Sequence, residues 1–234
     1  MIGHIRKIAT AIICTAFLAA ACDNTPPPRI EGRISNLPDG EVYLRVWEGV
    51  MRTIDSTQSV SGNFSFESPD ILPDLLFIQF DGHPDFYLPV IVDGGDISIA
   101  GNFNYNHDIT VTGTASNDIL LKYRSAVRNY SVMLDAIDIE VKVYGDSSAL
   151  KDSLRLNTLL AKRDSVHGLI TGLQDSFVSK NPADIISALL VNSSMHDSIS
   201  LPQIDSAIGR LDPGIPDNAF SRRLQRRREA LLNH

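Results

Sequence analysis

The sequence predicts an α+β protein: an antiparallel β-sandwich or barrel-like N-terminal domain, then an α-helical domain with a long helical hairpin. Three observations carry that expectation. From Arg29 to Thr112, short runs that alternate apolar and polar residues are separated by turns rich in glycine and proline. After Gly113 the apolar period lengthens from two to about 3.6, the change from strand to helix. The 234 residues are 43% hydrophobic, enough to build a core and too apolar for a disordered chain.

In order along the chain, Ile30, Gly32 and Ile34 alternate, Pro38-Asp39-Gly40 makes a turn, and Val42, Leu44 and Val46 alternate with Glu41, Tyr43, Arg45 and Trp47. These read as a hairpin with one buried face. The segments 54–60 and 63–66 flank Ser61-Gly62, and 75–80 and 86–92 are denser apolar runs. Pro89 has no N–H to give a ladder, so its strand belongs at an edge or a bulge. Ile97 with Ile99, and Ile109 with Val111, complete seven or eight strands.

Beyond Gly113, the residues Ile119, Tyr123, Ala126, Val127, Tyr130, Leu134, Ile137 and Val141 share one helical face. Gly145 ends that run, and Asp146-Ser147-Ser148 can cap a second helix that carries Leu159, Val166, Ile170, Leu173 and Phe177. Asn181-Pro182 reads as the cap and first turn of a shorter helix. Asp212-Pro213-Gly214-Ile215-Pro216 is a breaker before a last helix to about Leu232. The expected divisions are 1–21 signal peptide, 22–28 tether, 29–115 β-rich domain and 116–234 helical domain.

The signal peptide rests on three parts. Arg6 and Lys7 make a positive start, 8–20 is an uncharged apolar run too short for a convincing membrane span, and Leu18-Ala19-Ala20-Ala21 precedes Cys22. Small residues before a cysteine resemble a lipobox, although Ala19 stands where leucine is usual. Cleavage before Cys22 and acylation of its thiol would leave a lipoprotein, held stably because two or three acyl chains suffice where one does not. The alternative is an ordinary secretory signal that leaves Cys22 free. Cys14 leaves with the signal, so the mature chain would keep one cysteine, with no disulfide and no Cys-x-x-Cys pair.

The formal net charge of −7 becomes about −9 once Arg6 and Lys7 are removed. Such a surface repels phosphate backbones, so nucleic acid is not an expected partner. No two of the six histidines are spaced as metal ligands, and there is no Gly-x-Ser-x-Gly elbow or Gly-rich phosphate loop. His83, in Asp81-Gly82-His83-Pro84-Asp85, reads as a solvated turn before it reads as a site. Arg222, Arg223, Arg226, Arg227 and Arg228 read as the wet side of a helix whose other side is Phe220, Leu224 and Leu231, or else as a patch for an anionic surface. Asp-Ser pairs at Asp55, Asp152, Asp164, Asp197 and Asp205 are similar to the O-glycosylation acceptors of some Gram-negative periplasmic proteins. No catalytic, cofactor-binding or metal-ligating residue is assigned.

The order of Ile30-x-Gly32-x-Ile34, Val42-Tyr43-Leu44, Ser61-Gly62-Asn63-Phe64-Ser65-Phe66, Asp93-Gly94-Gly95-Asp96-Ile97 and Gly113-Thr114-Ala115-Ser116-Asn117 resembles a domain of unknown function. That domain heads many Gram-negative lipoproteins with a C-terminal thioredoxin-like or peroxiredoxin-like domain. The resemblance runs from Arg29 to about Tyr123, and the helices after it look like the linker of those proteins. It implies a membrane address at the periplasmic face or outer membrane. The redox cysteine pair of those relatives has no counterpart up to His234, so no catalytic residue transfers. The expected function is a membrane-anchored, non-catalytic binding or accessory module, its partner a membrane through the lipid on Cys22 and a thioredoxin-like protein. A cell-envelope or polymer hydrolase is the alternative.

Overall fold

The structure is a computed structural model and describes residues 26–105, 108–146, 153–195 and 199–233. It is an α+β fold in three layers: two four-stranded sheets face to face, and helices on the outer side of the second sheet.

The strands are β1 (Arg29–Ser35), β2 (Gly40–Trp47), β3 (Met51–Ser59), β4 (Asn63–Glu67), β5 (Asp74–Phe80), β6 (Leu88–Val92), β7 (Ile97–Asn102) and β8 (Thr110–Thr112). One sheet has the order β4-β1-β7-β8, the other β3-β2-β5-β6. Alternation does its expected work: Ile30, Leu44, Leu76, Ile78, Val90 and Ile99 are sealed between the sheets, while their neighbours face outward.

Two features depart from a simple antiparallel hairpin meander. β1 and β2 do not form a hairpin: the Pro38–Gly40 turn carries the chain from one sheet to the other, and β1 lies between β4 and β7. Left-handed Asn36 and buried Leu37 turn the corner, so both ladders of β1 are free for distant strands. The β1–β7 pair is parallel, so the sandwich is mostly rather than wholly antiparallel.

Gly32 and Gly62 explain two local choices. A Cβ on Gly32 would stand 2.1 Å from the Phe64 ring, so the glycine in an otherwise large-residue face makes room for its cross-strand neighbour. Ser61 and Gly62 both have positive φ, 52° and 77°, the pattern of a type I′ turn. That turn joins β3 to β4 through Val60 and Asn63, which exchange hydrogen bonds of 3.0 Å, and so closes one corner between the sheets.

Pro89 lies on the edge strand β6, as its missing donor requires. That edge is finished by a side chain. Asn117 is 1% exposed, its Oδ1 accepts from Ile91 N–H at 2.9 Å, and its Nδ2 donates to Ile91 C=O at 2.7 Å. Both bonds are those a ninth strand would have made.

Five helices follow: α1 (Ala115–Asp146), α2 (Ser153–Lys180), α3 (Ile185–Ser193), α4 (Leu201–Ile208) and α5 (Ala219–Leu232). α1 and α2 form the expected hairpin, with Ile137, Leu159 and Val166 buried at its seam and Tyr123 edge-on to Phe177 near its base. Asp146 is the last residue of α1, and Ser147 and Ser148 lie outside the described residues. The cap of α3 is Asp184, whose carboxylate accepts from Ile186 N–H at 2.7 Å, and not Asn181. Asn181 instead closes the end of α2, its Nδ2 donating to Phe177 C=O. α4 was not expected; it starts at Ser200, whose N–H and hydroxyl both donate to Gln203 Oε1. Ile186, Phe220 and Leu224 press on Leu75 and Ile91, joining helices and second sheet in one apolar cluster.

Candidate functional site

The two ends of the sandwich differ. At the end where β5 finishes and β7 runs out, Phe80, Phe86 and Phe103 pack ring on ring, with centroids 5.4 to 5.9 Å apart, and close the gap between the sheets. The opposite end, where β1 begins, is open. There Val46, Ile54 and Leu76 floor a cleft of about 290 Å³ walled by Ile71 and Leu72.

Local chemistry explains why this end stays open. Glu48-Gly49-Val50 is a tight turn between β2 and β3, with Gly49 at φ 83° and Glu48 N–H bonded to Val50 C=O. Val50 is left pointing at solvent beside Trp47, the outward residue at the end of β2. Facing them, the loop 68–73 is held at three points. Ser68 N–H donates to Pro28 C=O at 2.7 Å, Ile71 N–H donates to Pro69 C=O, and Ala219 N–H, at the start of α5, donates to Pro73 C=O. Ile71 is exposed on that loop. The apolar lining of the cleft is therefore Val46, Ile54, Ile71, Leu72 and Leu76, with Ile71 its exposed member, while Trp47 and Val50 stand outside it at the end of β2 and in the turn that follows.

Its rim carries two arginine–carboxylate pairs. Glu48 takes a bidentate pair from Arg52 at 2.9 and 3.1 Å, and Asp74 takes one from Arg223 at 2.9 and 2.5 Å. Hydrogen bonding by Arg52, then its charge and that of Arg223, holds the Glu48 carboxyl below its ordinary range. Both acids are thus committed as acceptors. The cleft offers largely apolar walls and paired charges, which suits holding an apolar group rather than moving a proton.

Cys22 lies outside the described residues. His83 is in its turn, N–H bonded to Phe80 C=O and ring 4.7 Å from Phe103. It borders a 40 Å³ cavity with Asp39, Glu41, Asp81 and buried Ser59, a space on the scale of one or two waters. Among the described residues no group of three or more His, Cys, Asp or Glu is arranged to hold a metal ion, and no helix is long and apolar enough to cross a membrane.

The arginines of α5 are mostly spoken for. Arg222 pairs with Asp217, Arg223 with Asp74 and Arg228 with Asp205, so the helix uses its cations to fasten itself down. Of the Asp-Ser pairs, Asp55-Ser56 is on exposed β3, Asp164-Ser165 on α2 and Asp205-Ser206 on α4, while Asp152 and Asp197 lie outside the described residues. Sequence reasoning did not single out Ile71 or Leu72, the loop residues that wall the cleft.

The fold and its open end define an α+β protein whose mostly antiparallel sandwich carries a helical layer. Residues 29–120, the β-rich part of the chain and the start of α1, match the family model described as Domain of unknown function (DUF4369). The match runs past the last strand into α1 far enough to include Asn117, the residue that finishes the sheet. A search of curated proteins and a search of solved structures found no match.

Proposed function

We propose that this protein is a lipoprotein, anchored through acylated Cys22 at the periplasmic face or outer membrane of a Gram-negative cell, that acts as a non-catalytic binding or accessory module. The observation that carries the binding part is the cleft of about 290 Å³ lined by Val46, Ile54, Ile71, Leu72 and Leu76, largely apolar and with its acids paired to arginines. The polar and proline-rich residues 23–28 follow the proposed anchor, and Pro28 is bonded to Ser68 at the start of the loop that lines the cleft, which supports a cleft near the membrane. The partner class follows from the resemblance to lipoproteins bearing thioredoxin-like domains: a thioredoxin-like redox protein that supplies its own cysteines.

Photo-crosslinking in intact cells tests the reading. A crosslinker replacing Ile71, the exposed apolar residue of the cleft lining, is expected to yield a discrete adduct with an envelope protein, and the same group at Val60, exposed at the far end of β3, is not. Adducts at Val60 as abundant as those at Ile71 would sink the cleft as the binding site. If deletion of the protein left periplasmic thiol status unchanged, the redox partner would be dropped.

A further inference from the structure

The α1–α2 arm has a second apolar stripe. The seam toward α2 uses Tyr130, Leu134, Ile137 and Val141. On the opposite side of α1, Val132, Ala136, Ile139 and Val143 recur at intervals of four, three and four residues, the spacing of a helix–helix seam. Among the described residues Val132 is left 61%, Ile139 66% and Val143 54% exposed. Single exposed apolar residues are ordinary, but a run at seam spacing is a surface.

Charge says what fits it. Antiparallel pairing of two such stripes about the midpoint between Ala136 and Ile139 sets Val132 against the partner's Val143, and Ala136 against the partner's Ile139. The same offset brings Asp135 opposite the partner's Lys142, twice by symmetry. Neither residue forms an ion pair among the described residues, whereas the neighbouring Asp138 and Glu140 are engaged within the arm by Arg163 at 3.6 Å and Arg155 at 3.5 Å. Parallel pairing would instead set Asp135 against the partner's Glu140, a repulsion. The antiparallel overlap involves only the outer part of the arm, so the two sandwiches lie at opposite ends.

We propose that α1 is a self-association surface: two copies of this chain pair antiparallel through Val132, Ala136, Ile139 and Val143, with Asp135–Lys142 bridges on one flank. The arrangement is isologous and closes at two copies. Two helices overlapping by about four turns bury roughly 1,000 Å² in total, the low end for a specific interface, so the dimer has a Kd in the micromolar range, on the order of 1–100 μM. The proposal does not depend on the anchor or the cleft.

Sedimentation velocity of the full chain in density-matched detergent, with concentration varied across that range, tests it. The wild-type mass is expected to rise from monomer toward dimer. Asp135→Lys and Lys142→Glu should each weaken association by about tenfold, and the double variant should recover most of it, because the swapped charges meet again across the axis. Ile139→Asp should abolish the dimer while leaving the circular dichroism of the monomer intact, since Ile139 is exposed there. A wild-type chain that stays monomeric throughout, or a double variant no better than either single one, overturns the proposal.

Discussion

The sandwich and the helical arm bury their apolar residues in different ways. In the sandwich, β1 finds partners 36 and 67 residues away, as Ile30 pairs with Phe66 and Ile97, so each strand depends on the whole. In the arm, α1 and α2 are sequence neighbours that meet along a single seam, where among the described residues Ile137, Leu159 and Val166 are sealed. The lesson is that one chain carries a cooperative core and a locally held extension, joined where Asn117 of α1 completes the edge of β6. Unfolding should reveal two tiers.

The largest effect belongs to the core. Leu44→Ala, at a fully buried site between the sheets, is expected to cost about 3 kcal/mol in global unfolding by urea, because the rigid walls around it cannot collapse into the space. Asn117→Ala comes next, at about 2 kcal/mol, since it orphans the N–H and C=O of Ile91 at the joint. A loss below about 0.5 kcal/mol there would mean that water replaces the amide and that the joint is loose. Ile137→Ala should cost about 2 kcal/mol and act locally. Hydrogen exchange should quicken in α1 and α2 beyond Tyr130 while β1, β2 and β5 keep their protection, and a uniform loss would erase the distinction between the two regions.

The smallest effect concerns Asp184. Burial raises its carboxyl above the ordinary 3.8, the Ile186 N–H opposes that rise, and the charge of Asp93 adds to it. A carboxyl raised on folding holds its proton longer in the folded chain, so stability falls as pH climbs from 3.8 to the raised value and stays lower above it. Asp184→Asn keeps the capping acceptor and removes the penalty. Its urea midpoint should gain on the wild type across that window and hold the gain at neutral pH; a gain seen only below pH 3.8 would contradict the assignment.

Much of this architecture was legible in the sequence, and the misses have physical reasons. Period-two runs located the strands, and the change of period located the hairpin, because burial of one face writes itself into local pattern. Pairing does not. Pro38-Asp39-Gly40 announces a turn but cannot say that the strands on either side part into different sheets, since that is decided by β4 and β7 far along the chain. Asn181-Pro182 has the chemistry of a cap, yet its asparagine is drawn to the end of α2, and Asp184 takes the role. α4 was missed because eight residues make too short a period to stand out, although Ser200-x-x-Gln203 was there to be read. The cleft was invisible for a different reason. Val46, Ile54 and Leu76 lie on three strands and Ile71 and Leu72 on a loop, which meet only in three dimensions, and an exposed apolar residue looks in sequence like a buried one.

The most direct test of the proposed function begins at Cys22: intact mass of the protein extracted from native membranes, beside a Cys22→Ala variant. The account predicts a chain that starts at Cys22 and carries added acyl mass, lost in the variant together with membrane association. An unmodified chain in the soluble fraction would contradict it, and would leave the cleft facing no bilayer at all.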